Sequence, residues 1–273
     1  MKATWALFRK NLLDARWMLL AISLALFGLS WLFVNITHRI EVRMKEVTGG
    51  GPPLRMLRGL GGASMDFTTA AIEMAFWNHP FVLLMFAVWA IARGSTSVAG
   101  EIERGTMDMI LSRPITRFTY LSAQVASALV ALFFLVGSMI VGNQVGAHYN
   151  SLNDPPTLLV LAKPALNLVA FGAIIYGYTF FLSTLDLVRW RPNLIASVVT
   201  LAGFIAQILA NIPSLEDYKW LEHYSIFKAY NPVEVVTKGE TFAFNTGILS
   251  LIGLVGLVLG YICFLRRDLP ASA

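Results

Sequence analysis

Charge is scarce in this sequence. Of the 273 residues only 14% are Asp, Glu, Lys or Arg, whereas 56% are hydrophobic, and the mean hydropathy is +0.65. A soluble domain usually has about 25% charged residues, so this chain has too little polar surface to coat a globule in water. The shortage excludes an intrinsically disordered protein and an ordinary cytosolic enzyme. The composition therefore predicts a polytopic membrane protein.

Three further absences exclude particular kinds of site. A single cysteine, Cys263, excludes a disulfide framework and a cysteine zinc site. The formal net charge of +5 arises from dispersed basic residues, and no Lys/Arg run of the kind that follows a phosphate backbone occurs, so we expect no nucleic-acid partner. No Gly-x-x-x-x-Gly-Lys-Ser/Thr motif is present, so the chain lacks a nucleotide-binding loop of that kind.

Catalytic patterns are missing as well. The four histidines, at positions 38, 79, 148 and 223, are scattered and lack the His-Glu-x-x-His spacing of a zinc site. No paired acid and base converge in the sequence, which disfavours an intramembrane enzyme. We therefore predict no catalytic residue, no metal site and no cofactor. The sequence does not identify the substrate-binding residues.

Six apolar stretches are long enough, or nearly so, to cross the roughly 30 Å hydrocarbon core of a membrane as helices. The second contains a His-Pro pair, which we place in the first turns of its helix, where a proline does little harm. We expect the first stretch to be a retained span and not a signal peptide, since no Ala-x-Ala-like site follows it. The fold class is therefore an all-α polytopic membrane protein, with one transmembrane domain over residues 1–273. The six spans are expected at about 17–34, 74–92, 121–145, 164–185, 193–213 and 246–265.

Lysine and arginine predict the orientation. If the N-terminus is cytoplasmic, the four short cytoplasmic pieces contain twelve basic residues, and the three longer exterior loops contain nine. The higher density of basic residues in the short pieces favours cytoplasmic N- and C-termini. The loop 35–73 is the exception, since it carries five of the nine exterior basic residues. We expect the plasma membrane, which is the cell inner membrane in a Gram-negative organism.

The first 16 residues form an amphipathic pattern. Trp5, Phe8 and Leu12 are spaced at i, i+3 and i+7, and four basic residues lie elsewhere around the helix. Such a helix lies in the plane of the headgroups, with its rings toward the acyl chains and its cations toward anionic lipid. We predict an interfacial helix over residues 1–16, with membrane lipid as its partner.

The loop between the second and third spans carries the most specific pattern. It reads AGEIERGTMDMILSRPITRFTY from residue 99. Gly105 suits the C-terminus of the second helix, Thr106 is placed to cap a new short helix, Pro114 ends that helix, and Thr116 caps the third span. The sequence predicts a helix–kink–short helix–helix hairpin over residues 99–117 that projects into the cytosol.

At these residues the sequence resembles the permease subunits of ABC transporters of the type-2 exporter class. That family joins its second and third helices by a Glu-x-Glu-x-Gly-Thr segment, a short hydrophobic run and a Ser-x-Pro-x-Thr/Ser-Arg segment. The matching residues are Glu101, Glu103, Gly105 and Thr106, then 109–111, then Ser112, Pro114, Thr116 and Arg117. The resemblance extends more loosely to the basic N-terminus, to Asn231-Pro232 and to the FLRRDL ending at 264–269.

Two positions depart from the family pattern. The family often has an acidic residue where this chain has Asn11, and often a lysine near Gln124. Both lie outside the central residues of the loop, so they bear on subfamily and substrate and not on membership.

The resemblance implies a membrane-spanning subunit of an ATP-driven exporter, coupled to a separate ATP-binding cassette ATPase and paired with a second permease copy as a homodimer. It also implies that the hairpin fits a cleft on the ATPase, with apolar side chains filling a groove and charged side chains pairing at its rim. The expected docking residues are Glu101, Glu103, Arg104, Gly105, Thr106, Met107, Met109, Ile110, Leu111 and Pro114.

Two transport-related alternatives remain open. A secondary carrier is disfavoured because ionisable residues are absent from the middle of the predicted spans. A non-transporting membrane scaffold that uses the same ATPase is not separated from an exporter by the sequence. The polar residues within the spans are neutral, and they serve interhelical hydrogen bonds or line a pathway: Gln124, Asn143, Gln144, Asn167, Thr200 and Gln207.

Overall fold

The computed structural model describes residues 2–48, 76–150, 157–232 and 241–267. Over these ranges the chain is helical and contains no β-strand. The α-helices are α1 (Lys2–Thr48), α2 (Pro80–Ser95), α3 (Thr106–Leu111), α4 (Arg117–Tyr149), α5 (Leu158–Leu185), α6 (Trp190–Ala210), α7 (Ile226–Ala229) and α8 (Thr241–Arg266). A π-helical turn, Thr96–Gly100, and a helical turn, Glu101–Glu103, continue α2 toward α3, and a 3₁₀ helix, Pro213–Tyr224, precedes α7.

Six of these helices, α1, α2, α4, α5, α6 and α8, are long and apolar enough to cross a membrane. This confirms the predicted all-α polytopic class with six spans. Most helices extend beyond the apolar stretches, because backbone hydrogen bonds continue past the hydrocarbon core into the flanking charged residues. Residues 74 and 75 of the expected second span lie outside the described residues.

The N-terminal segment is continuous with the first span. Helix α1 runs for 47 residues without a break, since no glycine or proline separates residues 2–16 from the apolar stretch. Within its first 16 residues the buried face includes Leu7, Asn11 and Ala15, which follow the i, i+4, i+8 spacing of one helix side. Trp5, from the expected apolar face, is exposed and stacks on Phe8.

Glycines set the two closest helix pairings, α1 with α4 and α5 with α8. A Cβ atom added to Gly142 of α4 would lie 2.4 Å from the carbonyl oxygen of Phe27 in α1. A Cβ added to Gly256 of α8 would lie 2.7 Å from the carbonyl carbon of Gly177 in α5. Gly142 of the third span and Gly256 of the sixth therefore pack helices within one chain, as small residues commonly do in membranes.

Helix α5 lies at the centre of the bundle and contacts α2, α4, α6 and α8. In the middle of α5, Phe171 packs against Phe227 and Tyr230 from the segment after α6. The Tyr230 hydroxyl donates a hydrogen bond to the Trp77 carbonyl oxygen at 2.7 Å. This aromatic cluster holds the segment after α6 against α5 and against Trp77, just before α2.

Candidate coupling hairpin

The hairpin backbone follows its local sequence signals. Gly105 adopts a left-handed conformation with φ 68°, which glycine adopts without a steric penalty, and it separates Glu101–Glu103 from α3. Helix α3 ends at Leu111, three residues before Pro114. The Thr116 hydroxyl accepts a hydrogen bond from the Thr119 backbone N–H at 3.1 Å and so caps α4.

Thr106 has a different role from the predicted cap. The residue preceding α3 is Gly105, and no side chain caps this helix. The Thr106 hydroxyl instead contacts the carbonyl and carboxylate oxygens of Glu101. As a donor to the charged Glu101 carboxylate, the hydroxyl makes a charge-assisted hydrogen bond, which is stronger than the neutral bond that a capping hydroxyl accepts from a helix N–H group, and this accounts for the difference.

Glu101 is the centre of an ionic cluster. Its side chain is 4% exposed and its Oε1 lies 2.7 Å from Arg104 Nη2 and 3.5 Å from Lys10 Nζ. With the Thr106 contact, the carboxylate has two cations and a hydroxyl as partners, which compensates its removal from water. Since Lys10 belongs to α1, the cluster fixes the hairpin to the first span.

Glu103 fixes the hairpin on its other side. Its Oε2 accepts a hydrogen bond from the Arg189 backbone N–H at 2.9 Å, at the connection between α5 and α6. Asp186 in the same connection accepts hydrogen bonds from its neighbours, at 2.7 Å from the Leu187 N–H. Glu101 and Glu103 therefore attach the hairpin to α1 and to the α5–α6 connection respectively.

The π-helical turn Thr96–Gly100 joins the hairpin to α5. The Ser183 hydroxyl oxygen accepts from the backbone N–H groups of Val98 at 3.2 Å and Ala99 at 2.9 Å, and it donates to the Ser95 carbonyl at 3.0 Å. The wider π-helical turn leaves backbone N–H and C=O groups without a partner inside the helix. The hydroxyl of Ser183 in α5 pairs with these groups.

Two arginines connect the ends of the spans on the hairpin side. Arg117, at the start of α4, donates to the carbonyl oxygens of Phe264 at 3.2 Å and Arg267 at 2.6 Å. Arg267 donates to the Thr184 carbonyl at 2.6 Å and the Asp186 carbonyl at 3.2 Å. Cations at helix C-termini are favourable, and these bonds tie α4, α8 and α5 together beside the hairpin.

The expected docking residues differ in their access to a partner. Met107 and Ile110 are only 2% and 9% exposed, because they pack against this chain's own core. Met109 is 63% exposed. Glu103, Arg104, Gly105 and Pro114 are also exposed, Thr106 and Leu111 are half-buried, and Glu101 is buried. Met109 is therefore the main apolar side chain that the short helix presents outward.

A groove beside Met109 separates α1 from α3. Its volume is about 490 Å³, and its wall is mostly aliphatic, with the cations of Lys10 and Arg113 on it. The lining residues are Ala6, Leu7, Lys10, Thr106, Met109, Ile110, Arg113, Pro114 and Ile115. This α1–α3 groove is a surface into which an apolar side chain flanked by acidic residues fits.

Nothing in the described ranges groups three or more His, Cys, Asp or Glu side chains in a way that holds a metal ion. The carboxylates of Glu101 and Glu103 are occupied by cations and a backbone N–H group of the same chain. The hairpin is therefore bonded through these carboxylates to α1 and to the α5–α6 connection.

The chain matches a known protein family. The model of the family described as ABC-2 family transporter protein matches residues 11–269, which is nearly the whole chain and includes the hairpin. No curated protein matches the chain.

Proposed function

This chain belongs to the ABC-2 family of transporter proteins, and we propose that it is the membrane-spanning subunit of an ATP-driven exporter whose ATPase is a separate polypeptide. The observation that carries the proposal is the hairpin, which is bonded to α1, α5 and the α5–α6 connection and exposes Met109 at its outer surface. The sequence contains no Gly-x-x-x-x-Gly-Lys-Ser/Thr loop, so a partner supplies the nucleotide site.

The proposed cycle moves the hairpin as one body. ATP binding closes the ATPase pair, and the closing surfaces push α3. The displacement passes through Glu101 to α1, through Glu103 to the α5–α6 connection, and through Ser183 to α5. Because several spans receive the displacement together, they rock toward an outward-open state. In this topology the hairpin and both termini are cytoplasmic and the chain lies in the plasma membrane.

A second identical copy completes the proposed transporter. The glycine faces of α4 and α8 are already covered by α1 and α5 of the same chain, so they are not the surfaces that meet between copies. Helix α6 buries only Pro192, Ala196 and Thr200, and most of its apolar surface faces outward. We propose that lipid and the second copy cover such outward faces.

The interior of the bundle suits a hydrophobic or amphipathic cargo. Four neutral amides have a buried oxygen with no hydrogen-bond partner in the described part of the chain: Gln124, Asn143, Asn167 and Gln207. Such oxygens accept a hydrogen bond from a passing polar group without requiring a charged cargo.

Replacing Met109 with aspartate tests the docking surface. We expect the Met109→Asp chain to insert and fold normally, because the side chain is largely exposed. Its affinity for the ATPase subunit is expected to fall about 30-fold, as for an apolar anchor worth roughly 2 kcal/mol. Binding of the purified ATPase to the permease in nanodiscs, followed by biolayer interferometry, measures this change.

Met109→Leu is the matched control for this substitution. Leucine keeps the apolar volume at the same position, so its affinity for the ATPase is expected to stay within about threefold of the wild-type value. Equal affinities of the aspartate and leucine variants would contradict docking at Met109.

A further inference from the structure

A second cavity lies between α1, α2 and the hairpin. Its volume is about 520 Å³, which is ample for a phosphate group and its immediate substituents. The lining residues are Lys10, Asn11, Asp14, Ala15, Met18, Ala92, Arg93, Thr96, Glu101, Arg104, Thr106 and Arg189. The cavity therefore lies where the apolar parts of the first two spans begin on the hairpin side.

The charges around this cavity are unbalanced. Four cationic side chains line it against two carboxylates. Both carboxylates are already engaged: Asp14 lies 3.2 Å from Lys10, and Glu101 pairs with Lys10 and Arg104. The guanidinium groups of Arg93 and Arg189 form no ion pair with another residue of the described ranges. The cavity thus has an excess of positive charge.

Asn11 adds an unpaired polar group to the same wall. The residue is 3% exposed, and its Nδ2 has no hydrogen-bond partner in the described part of the chain. Leaving a buried donor unpaired is unfavourable. The two ends of a carboxamide have nearly the same shape, so Asn11 can direct its N–H₂ at the cavity that it lines without repacking.

We infer that this cavity binds a phosphate group. Guanidinium and ammonium groups together with an amide N–H₂ are the donors that recognise phosphate oxygens. Basic pockets between spans at the membrane boundary bind anionic headgroups. The phosphate belongs to an anionic phospholipid or to a soluble phosphate, and both present the same oxygens to Arg93 and Asn11. Binding here does not depend on an ATPase partner.

The test uses the full-length chain in detergent without any ATPase. It is titrated separately with inorganic phosphate, phosphatidylglycerol and phosphatidylcholine, and thermal unfolding and native mass spectrometry report binding. We expect phosphatidylglycerol, inorganic phosphate or both to bind and to raise the unfolding temperature more than phosphatidylcholine does. Asn11→Asp keeps the side-chain shape but places a carboxylate against the ligand, so binding should weaken at least about tenfold.

Arg9→Gln is the matched control, since Arg9 lies on the same helix, is exposed and does not line the cavity. Arg9→Gln lowers the net charge of the chain by one, as Asn11→Asp does, and it should leave the binding of the phosphate probes unchanged. Binding of phosphatidylglycerol alone would assign the site to a lipid headgroup, and binding of inorganic phosphate as well would assign it to soluble phosphates.

A second pair of variants makes the test independent of the folding of Asn11→Asp. Arg93→Gln should lose binding, whereas Arg93→Lys, which retains the charge, should keep most of it. The inference is overturned if neither probe binds above phosphatidylcholine, or if Asn11→Asp and Arg93→Gln bind as tightly as Arg9→Gln does.

Discussion

Gly142→Ala is expected to destabilise this chain by about 3 kcal/mol, enough to lower strongly the amount of folded protein recovered from membranes. The added Cβ would lie 2.4 Å from the carbonyl oxygen of Phe27, and a backbone atom of a packed helix has no rotamer that moves it away. Helices α1 and α4 would have to separate along their contact, which contains the Ser30 hydrogen bond to the Met139 carbonyl.

The sixth span offers the same test at a second place. Gly256→Ala would put a Cβ 2.7 Å from the carbonyl carbon of Gly177, so it should separate α8 from α5 at a similar cost. Both variants are compared with the wild type by fluorescence-detected size exclusion and by thermal unfolding in detergent.

Each helix supplies its own control. Gly137 of α4 and Gly247 of α8 have no atom of the described residues within 4 Å of an added Cβ. Alanine at either position should be neutral or stabilising by up to about 1 kcal/mol, because alanine has the higher helix propensity. Alanine is therefore expected to destabilise the chain at Gly142 but not at Gly137. Equal stability of the two variants would contradict the helix contact described here.

Glu101→Gln is expected to have the largest effect on coupling. Glutamine keeps the size of the side chain but loses the charge that holds Lys10 and Arg104. Since both cations are partly exposed, we expect only about 1–2 kcal/mol of lost stability. The hairpin would no longer transmit displacement to α1, and permease-dependent stimulation of ATP hydrolysis should fall roughly tenfold. Hydrolysis by the reconstituted complex, at saturating ATPase, measures the loss.

Glu103→Gln is the comparison that separates charge from geometry. Glu103 accepts a single backbone N–H from Arg189, and the carbonyl oxygen of glutamine accepts the same bond. Stimulation should therefore stay within about threefold of the wild-type value. If Glu101→Gln stimulated hydrolysis as well as Glu103→Gln did, the ionic cluster would have no role in coupling.

Local signals predicted the parts of the hairpin that local physics determines. Gly105 is left-handed because a helix ends there, Thr116 caps α4 with its own hydroxyl, and Pro80 occupies the first turn of α2. Each of these features involves residues within four positions of one another. The number of spans was predictable for a similar reason, since the absence of charge marks the hydrocarbon core directly.

Features that depend on distant partners were not predictable. Nothing near Glu101 indicates that Lys10, 91 positions away, completes its cluster, so the carboxylate was expected at a rim and not in the interior. The partners of Arg117 are backbone carbonyls about 150 positions along the chain, and carbonyls carry no sequence signature. The close contact of Gly142 in α4 with α1 is likewise visible only in the assembled bundle.

The central claim is that a separate ATPase drives this chain through the hairpin. The most direct measurement is ATP hydrolysis in liposomes that contain the purified chain alone, the chain with the ATPase subunit, or the Met109→Asp chain with that ATPase. The account predicts no hydrolysis by the chain alone, strong stimulation with both subunits, and loss of the stimulation in the variant. Hydrolysis by the chain alone, or unchanged stimulation by Met109→Asp, would contradict it.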